Sequence, residues 1–318
     1  MTCDDKSSAA VDGDPIAGAI RSKLDSTKVV PGLHIVATPI GNLADITLRA
    51  LAVLTRADVI ACEDTRVTGK LKATFNIGAP LLSYHDHNAD RAGAALMKRL
   101  NSGDIVALVS DAGTPMISDP GYRLVGAAIE AGIGVFSVPG PSAALAALVS
   151  AGLPTDRFFF AGFLPSRSSA RRDALAGLTA IPATLVFYES PKRLRAALDD
   201  MADILGDRPA AVARELTKKH EEIRRGTLEN LARHYGAADA PKGEIVIVIG
   251  PPEKTEPASA DAVDALLQAA LATSTVRDAS ADIATATGWP RRDVYQRALR
   301  LKKSGGSERD RGSDGHEI

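Results

Sequence analysis

From Leu33 onward, apolar residues arrive in short blocks separated by stretches with helical spacing. LHIVA, DVIACE, DIVALVS and GVFSVPG are brief apolar runs bounded by turn formers, the form of buried strands. Between them, DITLRALAVLTRA places Ile46, Leu48, Leu51 and Leu54 on one side of a predicted helix, and GYRLVGAAIEAG predicts another. Short apolar strands alternating with helices predict an α/β layer with a largely parallel sheet. The helical stretch PSAALAALVSAG then leads away from it.

A second set follows. FFFAGFL, ATLVFYES, AAVARELT, HEEIRRGT and GEIVIVIG read as strands, with helices over 169–178, 191–204 and 227–235. HEEIRRGT alternates like an antiparallel strand, and FFFAGFL and GEIVIVIG are expected as neighbours in a mixed sheet. PPEKTEPASA, residues 251–260, is a linker. Beyond it, Val276, Ala279, Ile283 and Ala284 form one helical stripe; after a Gly-Trp-Pro break, Val294, Ala298 and Leu301 form another, ringed by arginines and lysines. That is the outline of a helix-turn-helix with a basic second helix, or of a helical hairpin that braces the rest. The expected organisation is a disordered lead-in over 1–31, α/β domains over 32–150 and 151–250, the linker, a helical module over 261–303 and a disordered tail over 304–318.

Composition narrows the class. Apolar residues make up 45% of the chain but aromatic ones only 4%, so the core must be aliphatic and alanine-rich. No apolar run approaches the roughly 18 residues of a membrane span, and the polar, acidic start lacks the form of a secretory signal. Two cysteines, Cys3 and Cys62, fit a reducing cytoplasm, with Cys62 expected in the core. The net charge of −1 means that any nucleic-acid partner must be held by local patches. Such patches exist around Arg167, Arg171 and Arg172, around Lys192, Arg193 and Arg195, and around Lys218, Lys219, Arg224 and Arg225.

Familiar phosphate cradles are absent. There is no G-x-x-x-x-G-K-[ST], and the single G-x-G, at Gly132 and Gly134, lies between a helix and a strand. Instead, five small-residue loops each follow a strand: ATPIGN (37–42), SDAGTPMISDPG (110–121), VPGPSA (138–143), YESPKR (188–193) and ARELTKKHE (213–221). Ligands of open α/β sheets bind at the carboxyl ends of the strands, so five such loops predict one shared cleft.

In this order and spacing, ATPIGNLADITLRAL, ACEDTR, SDAGTPMISDPG, VPGPSA, FYESPKR and ARELTKKHE closely resemble the ribosomal RNA small subunit methyltransferase I family, within the tetrapyrrole-methylase-like superfamily. The resemblance covers about residues 32–303. It implies two α/β domains with a cofactor cleft between them and S-adenosylmethionine as methyl donor. The reaction implied is methylation of the ribose 2′-hydroxyl of a cytidine in the decoding region of 16S rRNA, with both the naked RNA and the assembled 30S subunit open as the form presented, by an enzyme expected to be a homodimer without metal or membrane partner. By the same resemblance, Thr38, Pro39, Asp111, Ala112, Gly113, Thr114, Ile117, Ser142, Ala143, Tyr188, Ala213, Gly243 and Glu244 would contact the cofactor. Gly113, lacking a Cβ, would let the ligand approach the peptide groups of the loop. Asp119 is read equally well as a turn residue capping its own backbone.

Methyl transfer to a hydroxyl needs in-line orientation and a base. The candidate catalytic residues are Glu63, Asp64 and Arg66 in CEDTR, Glu189 in YESP, and Glu215 with Lys218 in RELTKK. For Glu63, Asp64 and Arg66 the alternative is a capping arrangement at the next helix. Lys218 serves as a base only if burial lowers its pKa, and is otherwise a phosphate contact. Arg193, Lys219, Arg291 and Arg292 are the candidate RNA contacts. His85 and His87 suggest a polar loop near the substrate rather than a metal site. The nearest alternative is a tetrapyrrole methyltransferase of the same fold, whose G-x-G-P-G opening differs from ATPIGN here; a nucleic-acid-binding regulator would leave the five loops unexplained.

Overall fold

The computed structural model describes residues 14–118, 121–237, 239–253 and 258–307. The first α/β layer is a sheet of β1 (Gly32–Val36), β2 (Val59–Cys62), β3 (Leu81–Ser83), β4 (Ile105–Leu108) and β5 (Val135–Val138), in the order β3-β2-β4-β1-β5 with every pair parallel. Parallel strands are buried on both faces, which is why they read as unbroken apolar runs. Val36, Ile60, Cys62 and Ala107 face one layer, with helices α2 (Leu48–Arg56) and α3 (Thr65–Thr74). Leu33, Val59, Ala61 and Leu108 face the other, with α4 (Ala89–Asn101) and α5 (Tyr122–Glu130). Cys62 is fully buried, and burial raises its thiol pKa.

Three details differ from what the sequence predicts. Part of the expected disordered lead-in is helix α1 (Pro15–Ser26): Asp14 accepts the Ile16 N–H at 2.9 Å, Pro15 opens the first turn, and Arg56 donates to the Leu24 carbonyl at 2.8 Å. Residues 1–13 lie outside the described residues. The α2 helix starts two residues later than its apolar pattern, because Thr47 caps it. It buries Ala50, Val53 and Leu54, while Leu48 stays exposed. The third is β3, whose three half-buried residues are too few to show a period.

The second sheet contains β6 (Phe158–Phe163), β7 (Thr184–Glu189), β8 (Pro209–Arg214), β9 (Glu222–Thr227) and β10 (Ile245–Ile249), in the order β6-β7-β10-β8-β9. Only β6 and β7 run parallel, so the sheet is mixed and β9 is antiparallel as its alternation implies. FFFAGFL and GEIVIVIG are not neighbours. The wholly buried β10 takes the centre, between β7 and β8, whereas β6 exposes Phe158, Phe159 and Phe163 and takes an edge. On one face Leu185, Phe187, Ile245 and Ile247 pack with helices α7 (Ser168–Ala176), α8 (Leu194–Leu205) and α9 (Leu228–Ala237). On the other, Val186, Ala211, Ala213 and Val248 pack against α6 (Ala143–Ser150) and against Ile40. The helix after β5 thus covers the second sheet.

Residues 1–252 and 253–318 divide into two compact units. The second has a core of Val263, Leu267, Ile283, Val294 and Ala298 from three helices, α10 (Ala260–Leu271), α11 (Val276–Thr287) and α12 (Arg291–Ser307). The sequence pattern predicts only the last two. Gly288, at φ +71°, ends α11, and the Trp289 indole donates to the Ala258 carbonyl at 2.7 Å. The α12 backbone enters the expected tail as far as Ser307; residues 308–318 lie outside the described residues.

Phe187 is fully buried at the centre of the second sheet's core. Phe187→Ala is expected to cost about 3–5 kcal/mol in urea unfolding, and Phe158→Ala, on the exposed edge, far less.

Candidate active site

The site begins where β1 runs out. Thr38 and Gly113 form an antiparallel bridge, each N–H donating to the other's carbonyl, at 2.8 and 3.0 Å. Thr38 Oγ1 donates to the Ser110 carbonyl at 3.3 Å, and Thr114 Oγ1 to the Pro141 carbonyl at 3.1 Å. These bonds join the loops after β1, β4 and β5. Gly113 has φ +81°, and a Cβ there would stand 3.3 Å from Ile40 Cγ2. The glycine is therefore required by backbone conformation and by close approach. Its own N–H donates to Thr38, and its C=O accepts from the Thr38 N–H and from Ser110 Oγ, so the flanking peptide groups are the ones its missing Cβ opens to a ligand. Among the described residues, the N–H groups of Ala112 and Thr114 have no acceptor. Nor do the first two N–H groups of α6, on Ala143 and Ala144, while Ser142 Oγ accepts from Leu145. Met116 and Ser118, both at φ +68°, take a strained course. Asp119 lies outside the described residues.

These loops border a cavity of about 450 Å³. Its walls include Glu63, Asp111, Ala112, Gly113, Thr114, Ile117, Ser142 and Ala143 from the first half, and Tyr188, Glu189, Gly243 and Glu244 from the second. Most of the residues singled out in the sequence are thus brought together. Ser118, Phe163, Ser190, Pro191, Ile245 and Val246 also line the cavity, and the sequence does not single them out. The signal for Phe163 is its place on β6, whose exposed face it shares, and its ring stands 5.5 Å from that of Tyr188. Thr38, Pro39 and Lys218 border a neighbouring space of about 270 Å³ that shares Ile40, Asp111, Ala112 and Glu244 with the first. Ala213 borders neither and is buried in the core, although Val246, its partner on β10, lines the first.

The charged candidates separate by geometry. Asp64 caps α3, accepting the Arg66 N–H at 2.8 Å and the Arg66 guanidinium at 2.6 Å. The Arg66 side chain and backbone hold its carboxyl at about 2. Arg66 projects outward with its side chain 87% exposed, and neither residue borders either of these two spaces. The capping alternative describes both. Asp111 accepts the Asp64 N–H at 3.0 Å and so ties the ends of β4 and β2 together. Glu63 does line the cleft. Burial pushes its carboxyl up, Asp111, Asp86 and Asp64 add to that, and His85 opposes it. Glu189 is 1% exposed at its side chain; one oxygen accepts the Ser190 N–H at 2.7 Å and faces Arg193 Nε at 3.3 Å. Arg193 also donates to the carbonyls of Leu164 and Pro165, so its guanidinium is committed to holding β6 beside β7. Lys218 bonds Glu215 at 2.8 Å and Glu244 at 3.0 Å. Burial disfavours its charge, but the two carboxylates outweigh that and its pKa is raised, the opposite of what a lysine base requires.

Lys219 is exposed, as are Arg291 and Arg292 in the second unit, where Arg297 is instead paired with Asp264 and lies over Trp289. The rings of His85 and His87 stand 6.0 Å apart, and among the described residues no group of three or more His, Cys, Asp or Glu could hold a metal ion.

Because Asp64 caps α3 through the Arg66 N–H, Asp64→Ala is expected to lower thermal stability more than Arg66→Ala, which removes the exposed guanidinium but leaves that cap. The folded carboxyl is depressed from 3.8 to about 2, so its stabilisation is present above 3.8 and lost as pH falls toward about 2. The gap between the parent and Asp64→Ala should narrow over that window, as followed by acid unfolding.

A family model for the tetrapyrrole (corrin/porphyrin) methylases matches residues 32–232, and one for the RsmI C-terminal HTH domain matches residues 256–302. The ribosomal RNA small subunit methyltransferase I of Mesorhizobium japonicum is 51% identical over 287 residues, covering 90% of this chain and 97% of the relative. That of Escherichia coli O157:H7 is 48% identical, covering 84% and 94%. Among solved structures, a cobalt precorrin-4 methyltransferase superposes with a TM-score of 0.53 at 21% identity, over 69% of this chain and 94% of that one. A diphthine synthase does so with 0.54 at 18%, over 69% and 89%. At such identities these two structures speak to the fold alone. The matches along both units make the chain a member of the tetrapyrrole methylase family, in its ribosomal RNA small subunit methyltransferase I branch.

Proposed function

We propose that this chain methylates small-subunit ribosomal RNA, using S-adenosylmethionine to modify the ribose 2′-hydroxyl of a cytidine in the decoding region of 16S rRNA within the 30S subunit. The observation that carries the reading is the cleft into which loops of both sheets converge, in a chain whose relatives bear that enzyme name over nearly their whole length. The family resemblance adds a cytoplasmic homodimer as the working form.

The cleft fits the cofactor. Its volume lies in the range of small-ligand sites, about 300–1,000 Å³. The N–H groups of Ala112, Thr114 and Ala143, unpaired among the described residues and the last at a helix N-terminus, suit a carboxylate. Carboxylates of Asp111 and Glu244 suit an ammonium or hydroxyl groups, and Ile40, Ile117, Tyr188 and Val246 supply apolar wall. When bound, S-adenosylmethionine supplies a methyl group activated by its sulfonium. The chain's own part is to hold the acceptor hydroxyl in line, worth up to roughly 7–11 kcal/mol, and to take its proton.

Glu63 is the base in this reading: it is on the cleft wall, and its raised pKa improves it as a proton acceptor. Asp64 and Arg66 support it by fixing the start of α3, and Glu189 with Arg193 braces the opposite wall. Lys219, Arg291 and Arg292 carry no ion pair among the described residues and are left to meet phosphates.

Transfer of a tritiated methyl group is expected with 30S particles and not with precorrins; label on precorrins alone would reject the reading. Gly113→Val should abolish S-adenosylmethionine binding in calorimetry while the protein stays folded. Glu63→Gln should cut turnover about 10²-fold or more with cofactor affinity nearly unchanged. Replacing both Arg291 and Arg292 with alanine should flatten the salt dependence of 30S binding, by about 0.7–0.9 in log–log slope for each phosphate no longer neutralised.

A further inference from the structure

The turn between β8 and β9 does more than connect two strands. It reaches the loop after β1, where Thr217 Oγ1 accepts the Asn42 N–H at 3.2 Å. The Lys218 stem lies directly on Gly41: a Cβ there would stand 2.5 Å from Lys218 Cγ and 2.8 Å from its Cε. From that crossing, Lys218 Nζ reaches Glu215 at 2.8 Å and Glu244 at 3.0 Å. Glu215 is bound to the same wall a second way, its carboxylate accepting the Glu244 N–H at 3.1 Å and its own N–H donating to the Glu244 carbonyl at 3.0 Å. Gly243, at φ +98°, makes room for this, since a Cβ there would collide with the Glu215 carboxylate. The turn itself takes an unfavourable course, with Glu215 at φ +50° and Thr217 at +65°. Two glycines and two left-handed residues are thus arranged around one lysine. Glu244 and Ile40, on either side of it, both line the cofactor cleft.

We propose that Lys218 is a positioning residue: it latches the loop after β1, in the first half, to the Glu215–Glu244 wall of the second, and thereby sets the width of the cofactor cleft. The inference rests on the cofactor reading above. Two of the ammonium's three donors are occupied by carboxylates, so its function is to hold the walls rather than to take a proton or bind a phosphate.

The test is a double-mutant cycle on the full chain. Calorimetry with S-adenosylmethionine is expected to show about tenfold or greater weakening for Lys218→Met and for Gly41→Ala, whose new Cβ evicts the lysine stem. The double variant should be no worse than the more damaged single one, because both remove the same interaction. Turnover on 30S subunits should show KM for S-adenosylmethionine raised by a similar factor and kcat within about threefold. Normal affinity in Lys218→Met, additive losses in the cycle, or a kcat collapse with KM unchanged would overturn the proposal. Should Gly41→Ala fail to fold, the KM-against-kcat split of Lys218→Met decides alone. If the parent itself bound no S-adenosylmethionine, the cofactor reading would fail. The latch would still be read from hydrogen exchange at the Asn42 amide, slow in the parent and released in Lys218→Met; retained protection would overturn it.

Discussion

Two hydrogen bonds between Thr38 and Gly113 fasten the end of β1 to the loop that follows β4, and the cleft depends on this seam. A strand ending in a free loop would leave its last peptide groups to water and its position to chance. Here the paired backbone fixes the height at which Ala112 and Thr114 present N–H groups that have no acceptor among the described residues, one on each side of Gly113. It also brings Ile40 against Gly113 and Thr114 against Pro141, so three loops are tied to one another. The glycine is dictated twice, by its positive φ and by the Ile40 methyl. Such a seam supplies the rigid, preset geometry that a methyl transfer requires, since orientation is the larger part of what the protein can contribute.

Much of this is legible in the sequence. The inner strands β2 and β4 of the first sheet stand out because burial on both faces leaves no polar position, and the five loops stand out because each follows a strand. What apolarity does not encode is partnership. FFFAGFL and GEIVIVIG are equally strand-like, but only exposure of the Phe158, Phe159 and Phe163 positions decides which takes the edge. Ala213 is buried off the cavity although Val246, its partner on β10, lines it, a distinction that a single alanine cannot reveal.

The charged residues are harder to read. Glu63 and Asp64 are adjacent carboxylates at one strand end, and their roles diverge with the residue at which α3 begins. Asp64 caps that helix and acidifies, whereas Glu63 is left at the cleft with a raised pKa. Lys218 reads in the sequence as a base or a phosphate ligand, because Glu244 and Gly41 come from loops distant along the chain. Arg193, in a basic run, serves the buried Glu189. In each case local sequence supplies the charge and the fold chooses its partner.

The account's central claim concerns which peptide groups are tied up in structure and which are kept for the ligand. Residue-resolved amide exchange on the full chain, without and with S-adenosylmethionine, tests it directly. The Thr38 and Gly113 amides should be slow in both states, while those of Ala112 and Thr114 should become slow only with the cofactor. Rapid exchange at Gly113 in the free protein, or no change at Ala112 and Thr114 on saturation, would contradict it.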